Sequence, residues 1–155
     1  MRMFYMLQQV DVNDENEFSV YRSAFIESKS MLAYGEHRAI HGLESARHLL
    51  KEIHYYWFKD SKKPIGDMLG GFLFSEKAVN FIKSFNSDLV VCEPISIEGF
   101  PAYYIEPQEV NELKTSLDYF ESTVYRSSTV VSQAFKEAWE SSNLLGAKFK
   151  SLPTE

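Results

Sequence analysis

The residues best suited to chemistry in this sequence are the histidines of the segment EHRAIHGLESARH, residues 36–48. His37, His41, Glu44 and His48 follow one another at spacings of four, three and four residues, which would place all four on one face of a continuous α-helix. Two histidines four residues apart on a helix can chelate zinc or nickel. This segment is therefore the first candidate for a metal site.

The apolar residues of the same segment argue against a functional metal site. Their spacing predicts a helix from Glu36 to Ile53, and their stripe begins at Ala39, two positions after His37. Two positions on a helix correspond to a rotation of about 200°, so the histidine face should point away from the core. It would lack the supporting hydrogen bonds that orient metal ligands, and we expect a solvated face, no functional metal and no cofactor. Gly42 lowers helix stability by about 1 kcal/mol relative to alanine, so a break near it is compatible with the pattern. The predicted buried stripe consists of Ala39, Leu43, Ala46, Leu50 and Ile53.

The single cysteine, Cys92, lies in the apolar run LVVCEPI, with no basic neighbour in sequence that would favour its thiolate. We interpret it as a structural thiol. Because it is the single cysteine, an internal disulfide is excluded. One alternative stays open. Because four histidines could meet the thiol in space, the chain could be a small cytosolic hydrolase or transferase using Cys92 or a histidine with nearby acids.

Two similar sequence segments indicate the main secondary-structure elements of the fold. GGFLFSEKAVNFIKSF, residues 70–85, and TVVSQAFKEAWESSN, residues 129–143, each read as a strand, a serine and an amphipathic helix, followed by another strand. Ser75 and Ser132 stand at the N-cap position, where a hydroxyl accepts a hydrogen bond from the first turn of the helix. The sequence therefore predicts an α+β fold, with strand–helix–strand units packed on a mixed, mainly antiparallel sheet.

Further strands are predicted from aromatic and β-branched runs between turn residues. Leu89 to Ile97 and Ala102 to Glu106 should form a hairpin through a Glu-Gly turn, and Ala147 to Ser151 should be an edge strand with its lysines pointing outward. The acidic segment Asp11 to Glu17 reads as a polar loop. The other predicted strands are Met3 to Val10, His54 to Phe58, Phe72 to Phe74 and Thr123 to Arg126.

Length and charge restrict the function classes. A chain of 155 residues with 45% hydrophobic residues predicts a single domain, residues 1–155, with a substantial core. A net charge of -6 argues against a nucleic-acid partner and favours a basic protein partner. The start of the sequence lacks the pattern of a signal peptide, and no stretch has the roughly 18 apolar residues of a membrane span. We therefore expect a cytoplasmic protein that does not contact membranes.

From Trp57 onward, a series of motifs occurs in an order that resembles the imm-eleven class of bacterial immunity proteins, which are found beside polymorphic toxin genes. The resemblance covers about residues 57–152, and residues 1–56 have no counterpart in it. The motifs are Trp57, IGDML at 65–69, GGFLFSEKAVNFI at 70–82, EPISIEGFPAYYIEP at 93–107, Ser116, VYR at 124–126 and VVSQAFKEAWESSNLLGAKFKSL at 130–152.

This resemblance implies an α+β domain that binds and neutralises a cognate toxin and has no catalytic activity of its own. An acidic binder would attract a basic toxin and speed the encounter by electrostatic steering. A homodimer is also compatible with the sequence. If the contacts lie on the acidic side of the protein, the candidate contact residues are Asp67, Glu98, Glu106 and Glu109, with Tyr103 and Trp57 as aromatic anchors.

Overall fold

A computed structural model describes residues 3–9, 21–58, 63–85, 88–112, 115–125 and 128–152. Within these residues the chain forms ten strands and five helical segments, and the strand pairs are antiparallel except for one, which confirms the predicted α+β class. The acidic segment Asp11 to Glu17 lies outside the described residues. Of the described helices, none combines the length and apolar character needed to cross a membrane.

The strands form a five-stranded sheet, a three-stranded sheet and a two-stranded ribbon. The strands are β1 (Phe4–Gln9), β2 (Ala24–Ile26), β3 (Tyr55–Trp57), β4 (Leu73–Phe74), β5 (Val91–Ile97), β6 (Phe100–Glu106), β7 (Glu109–Val110), β8 (Tyr119–Ser122), β9 (Ser128–Ser132) and β10 (Ala147–Ser151). The helices are α1 (Ser28–His41), α2 (Leu43–Ala46), α3 (Leu49–Glu52), α4 (Glu76–Phe85) and α5 (Gln133–Ser141). The strand orders are β10-β1-β9-β8-β7, β4-β6-β5 and β2-β3.

The two similar sequence segments fold as two equivalent strand–helix–strand units, as predicted. In the first unit, β4-α4-β5, both strands pair antiparallel with β6, which lies between them. In the second unit, β9-α5-β10, both strands pair antiparallel with β1 in the same way. The outer strands of each unit are therefore parallel to each other, and the helix makes the crossover that a parallel connection requires.

A serine caps the helix of each unit, as the sequence predicts. The hydroxyls of Ser75 and Ser132 accept hydrogen bonds from the amides three residues later, at 3.1 and 3.2 Å. Each hydroxyl also donates to an aspartate. Ser75 donates to Asp67 at 2.8 Å, and Ser132 donates to Asp118 at 2.6 Å. The aspartate therefore fixes the hydroxyl in the orientation in which its lone pairs face the helix.

The three-stranded sheet lies between two apolar clusters, because alternate residues of a strand face opposite sides. Ala102 and Tyr104 of β6 belong to a cluster with α1, α2, α3 and the ribbon. Ile105 belongs to a cluster with α4 and α5, against which Tyr103 packs. A third, smaller cluster around Phe4 and Phe120 involves the five-stranded sheet. Each face of β6 therefore supports a different layer of helices.

The helix predicted from Glu36 to Ile53 differs from the observed one in three ways. The observed helix begins earlier, at Ser28, and is broken into α1, α2 and α3. The first break occurs at Gly42, whose φ of 90° and ψ of 164° leave the helical region and suit glycine. Ala39, predicted to be buried, is exposed, because α1 turns the face that carries Tyr34, and not the face that carries Ala39, toward the core.

The strand predicted at Thr123 to Arg126 is wrong. Strand β8 ends at Ser122, residues 123–125 form a turn, and Arg126 lies outside the described residues. Because β8 and β9 are antiparallel neighbours, the chain must reverse between them, and this requirement overrides the strand preference of Val124 and Tyr125.

Asp67 connects the two units. Its Oδ1 accepts from the Ser75 hydroxyl of the first unit, and its Oδ2 accepts from the amide of Leu145, 2.9 Å away in the loop between α5 and β10. The backbone of Asp67 donates to the Leu145 carbonyl and accepts from the Ser75 amide, each at 2.8 Å. Four hydrogen bonds therefore meet at one residue.

Replacing Asp67 with alanine should destabilise the protein by about 2 kcal/mol, because both carboxylate acceptors are lost and the Ser75 hydroxyl loses its acceptor. Urea denaturation measures this change. Asp88→Ala is the matched control, because Asp88 is exposed and its described hydrogen bond uses the backbone carbonyl. Equal midpoints for the two variants would contradict the assigned role of Asp67.

Candidate protein-binding surface

Four of the six contact residues predicted from the sequence lie at opposite ends of the β5–β6 hairpin. Trp57 and Glu98 are at the turn end, where the Trp57 ring contacts the Phe100 ring with centroids 5.6 Å apart. Glu106 and Glu109 are at the other end of β6. The seven residues of β6 separate the two ends by about 20 Å. These residues therefore do not share one surface.

The other two predicted contact residues, Asp67 and Tyr103, have neighbours on the far side of the three-stranded sheet. Asp67 is engaged by Ser75 and Leu145, as described above, and so its carboxylate already has two partners. Tyr103 is half-buried and packs against the cluster that includes α4 and α5. Both residues therefore have structural roles in the described fold.

Glu106 faces the helices α1 to α3 and is held there by three side chains. It accepts hydrogen bonds from Arg38, from Tyr104 at 2.8 Å and from Tyr34 at 3.1 Å, and its side chain is only 13% exposed. Burial, together with the negative charge of Glu106, raises the pKa of the Tyr34 and Tyr104 hydroxyls, which stay protonated and donate. Glu106 therefore ties α1 to the sheet.

Glu93 on β5 makes a second attachment on the same face. Arg47 donates from Nε and Nη2 to the same Glu93 carboxylate oxygen, both at 3.0 Å, and the Lys51 ammonium lies 3.9 Å from the other oxygen. Glu93 and Glu106 therefore both point inward and hold the helical layer through its cations. Their charge is neutralised within the fold rather than offered to a partner.

Glu109 and Glu121 concentrate negative charge at the far end of the hairpin. Glu109 is exposed on β7 and lies opposite Glu121 in the parallel register with β8. Burial raises the pKa of the Glu121 carboxyl, the charges of Glu109 and Glu106 raise it further, and Arg38 partly offsets them. This end of the protein is therefore acidic, and its charges repel one another.

An exposed aromatic surface lies on the β2–β3 ribbon. We name it the aromatic strip and define it as Phe25, His54, Tyr56 and Phe58. Ring centroids are 4.8 Å apart for Phe25 and Phe58, 5.9 Å for Phe25 and Tyr56, and 5.5 Å for His54 and Tyr56. Tyr56 is 36% exposed and Phe58 is 44% exposed. The four rings therefore form one contiguous patch in contact with solvent.

The residues that alternate with the strip fix it to the core. Tyr55 is buried and donates to the Leu50 carbonyl at 2.6 Å. Trp57 packs on Phe100, and the Arg22 guanidinium lies 4.7 Å from the centre of the Trp57 ring. The alternation in HYYWF could predict from sequence that these two sets face opposite sides, but it could not predict which side solvent reaches.

The cysteine and the α1–α3 histidines of the enzymatic alternative lie on opposite sides of the three-stranded sheet. Cys92 on β5 packs with the α4 and α5 cluster. His37, His41 and His48 belong to the helical layer on the other face, and His54 is part of the aromatic strip. Among the described residues, which include all four histidines, Cys92 has no histidine partner.

The histidine segment differs from the predicted single helical face. The break at Gly42 separates His37 and His41 from the rest, and Glu44 lies 3.2 Å from Arg47 rather than in line with the histidines. The His37 ring centroid is 4.7 Å from that of His41 and 6.1 Å from that of His48. As these side chains are placed, no three His, Cys, Asp or Glu residues of the described chain surround a metal position.

Replacing Glu121 with glutamine should stabilise the protein at neutral pH. Since the pKa of Glu121 is raised in the folded state, that state binds a proton more readily than the unfolded chain, and wild-type stability falls as pH rises through the folded pKa. The gain should be no more than about 1 kcal/mol because solvent screens this half-buried group. Urea denaturation at about pH 7 and about pH 4 should find the gain at the higher pH and little at the lower.

The matched control for this prediction is Glu36→Gln, which removes the same charge from an exposed position on α1. It should change the unfolding midpoint less at neutral pH. A gain for Glu121→Gln that grows as the pH falls would contradict the assigned electrostatics.

Three comparisons with known proteins bear on the identity of this chain. No family model matches it, and neither a functionally characterised protein nor a solved structure matches it.

Proposed function

We propose that the chain is an immunity protein that binds and neutralises a cognate toxin domain in the cytoplasm, without catalysing a reaction. The resemblance to immunity proteins suggests the toxin partner, and the observation that supports a binding role is the aromatic strip. Exposed hydrophobic residues are ordinary when they occur singly, but a contiguous patch is typical of an interaction site. Tyrosine and phenylalanine are enriched in the desolvated centres of protein interfaces, where a few such residues supply most of the binding free energy.

The packing of the ribbon beneath the aromatic strip supports a binding role. Tyr55 and Trp57 are packed against the core, and the strip residues contact one another, so their side chains have little rotamer freedom to lose. Ordering a flexible side chain on binding costs about 0.5–1.5 kcal/mol, and a preorganised surface avoids much of this cost. The strip is therefore suited to binding a partner as a rigid surface.

The charge of the protein supports a basic partner. The net charge of -6 attracts a basic toxin domain over long range and speeds its encounter. Glu98 is exposed at the hairpin turn, two residues before Phe100, and we assign its carboxylate to the rim of the interface. The proposed interface therefore has Tyr56 and Phe58 at its centre and keeps one sequence-predicted contact, Glu98, while Trp57 supports the strip from the core side.

Co-expression with any toxin domain that a gene neighbouring this chain's gene encodes tests the proposal. The wild-type chain should restore growth, and the double variant Tyr56→Ala/Phe58→Ala should not. Titration calorimetry with the purified toxin domain should find affinity reduced about a hundredfold or more, as expected for the loss of two central aromatic contacts. Glu98→Lys should mainly slow association, because a rim charge acts on the encounter rate.

The matched control is the double variant Leu32→Ala/Ile40→Ala on α1, where the side chains are 68% and 75% exposed. It removes two exposed apolar side chains outside the strip and should rescue growth as well as the wild type does. Thermal unfolding verifies that both variants are folded. Failure of the wild type to rescue growth would refute the immunity function, whereas rescue by the strip variant would refute only the choice of surface.

A further inference from the structure

We propose that His37, His41 and His48 form an exposed binding site for a divalent transition metal ion of the zinc class. This inference is independent of the proposed toxin-binding function. The three imidazoles share one patch at the outer side of the helical layer, where His37 contacts both of the others. Imidazole is a preferred ligand of zinc, nickel and copper.

The backbone brings the three histidines together by breaking the helix. In a continuous helix, eleven residues would separate His37 from His48 by about 16 Å along the axis. The break at Gly42 turns the chain back instead, and the two ring centroids are 6.1 Å apart. His37 and His41, four residues apart on α1, have centroids 4.7 Å apart. The third imidazole is therefore supplied by the fold and not by the helical spacing.

These ring separations match those of zinc ligands. Two imidazoles that bind one tetrahedral zinc ion through bonds of about 2.0–2.1 Å have ring centres about 5 Å apart. The observed separations of 4.7 and 6.1 Å lie within about 1 Å of this value. His37 therefore lies near ligand spacing from both other rings, and the site requires side-chain rotations that also bring His41 and His48 to that spacing.

The rotation that the site requires has a small cost. As placed, the His37 Nε2 is 2.9 Å from the Ser45 hydroxyl, and the described His, Cys, Asp and Glu side chains do not already surround an ion. His41 and His48 are exposed, so their rings can turn without displacing core residues. His37 has to give up only a solvent-exposed hydrogen bond. Water would fill the fourth position of a tetrahedral site.

Nearby charges do not oppose a cation at this patch. Arg38 is drawn away to Glu106, and Arg47 is paired with Glu93 and Glu44. The two guanidinium groups closest in sequence are therefore neutralised by carboxylates on the sheet or on α2. The exposed carboxylate of Glu36, next to His37 in sequence, favours a positive ion.

Calorimetric titration of the tag-free full chain with zinc chloride at about pH 7.5 tests the site. The wild type should bind one zinc ion with a Kd on the order of micromolar. His48→Ala should weaken binding at least about tenfold, since it removes the ligand supplied by the fold. His54→Ala is the matched control, because His54 stacks on Tyr56 in the aromatic strip, and it should leave binding unchanged.

Gly42→Ala provides a second test that keeps all three histidines. Because a φ of 90° strains an alanine, this substitution should disturb the turn and weaken zinc binding, while nothing lies within 4 Å of the added methyl group to cause a clash. Circular dichroism verifies that the variant is folded. Absence of zinc binding by the wild type, or equal affinity in the wild type and His48→Ala, would overturn the proposal.

Discussion

The carboxylate of Asp67 joins the two strand–helix–strand units. The two strand–helix–strand units have separate helices and belong to different sheets, so something must fix one unit against the other. Asp67 does this by accepting from the Ser75 hydroxyl in one unit and from the Leu145 amide in the other. Gly146 makes the close approach feasible, because a Cβ there would lie 2.8 Å from the Met68 carbonyl. The segment that follows Asp67 also holds the β2–β3 ribbon, since the Ala24 amide donates to the Leu69 carbonyl at 2.8 Å.

The outer helical layer is attached by charges rather than by apolar contacts alone. Glu106 and Glu93 reach out from the sheet to Arg38 and Arg47, and most of the helical surface between these attachments stays exposed. An ion pair with one buried carboxylate is costly to break, because the remaining charge would be left without a partner. These acids therefore fix the position of the helical layer on the sheet.

The sequence predicted the elements whose signals are local. The serine caps, the Glu-Gly hairpin turn and the lysine-bearing edge strand β10 each depend on residues within a few positions of one another, and all three were confirmed. The roles of the acids could not be predicted, because their partners are distant in sequence. Glu106 and Arg38 are 68 residues apart, and Asp67 and Leu145 are 78 residues apart. From sequence alone, an inward-facing glutamate therefore looks the same as a surface one.

The position of the three-stranded sheet bears on the choice between a binder and an enzyme. Catalysis by a cysteine and a histidine requires the two side chains to be within hydrogen-bond reach, about 2.6–3.2 Å, or to be linked by a water molecule. Here the backbone of β5 and β6 stands between Cys92 and the histidines of α1 and the α2–α3 turn, and the apolar clusters on both faces exclude a rearrangement that keeps the core. A protein that binds a partner through the aromatic strip needs no such convergence. It needs only a rigid ribbon, and the packing of Tyr55 and Trp57 provides one.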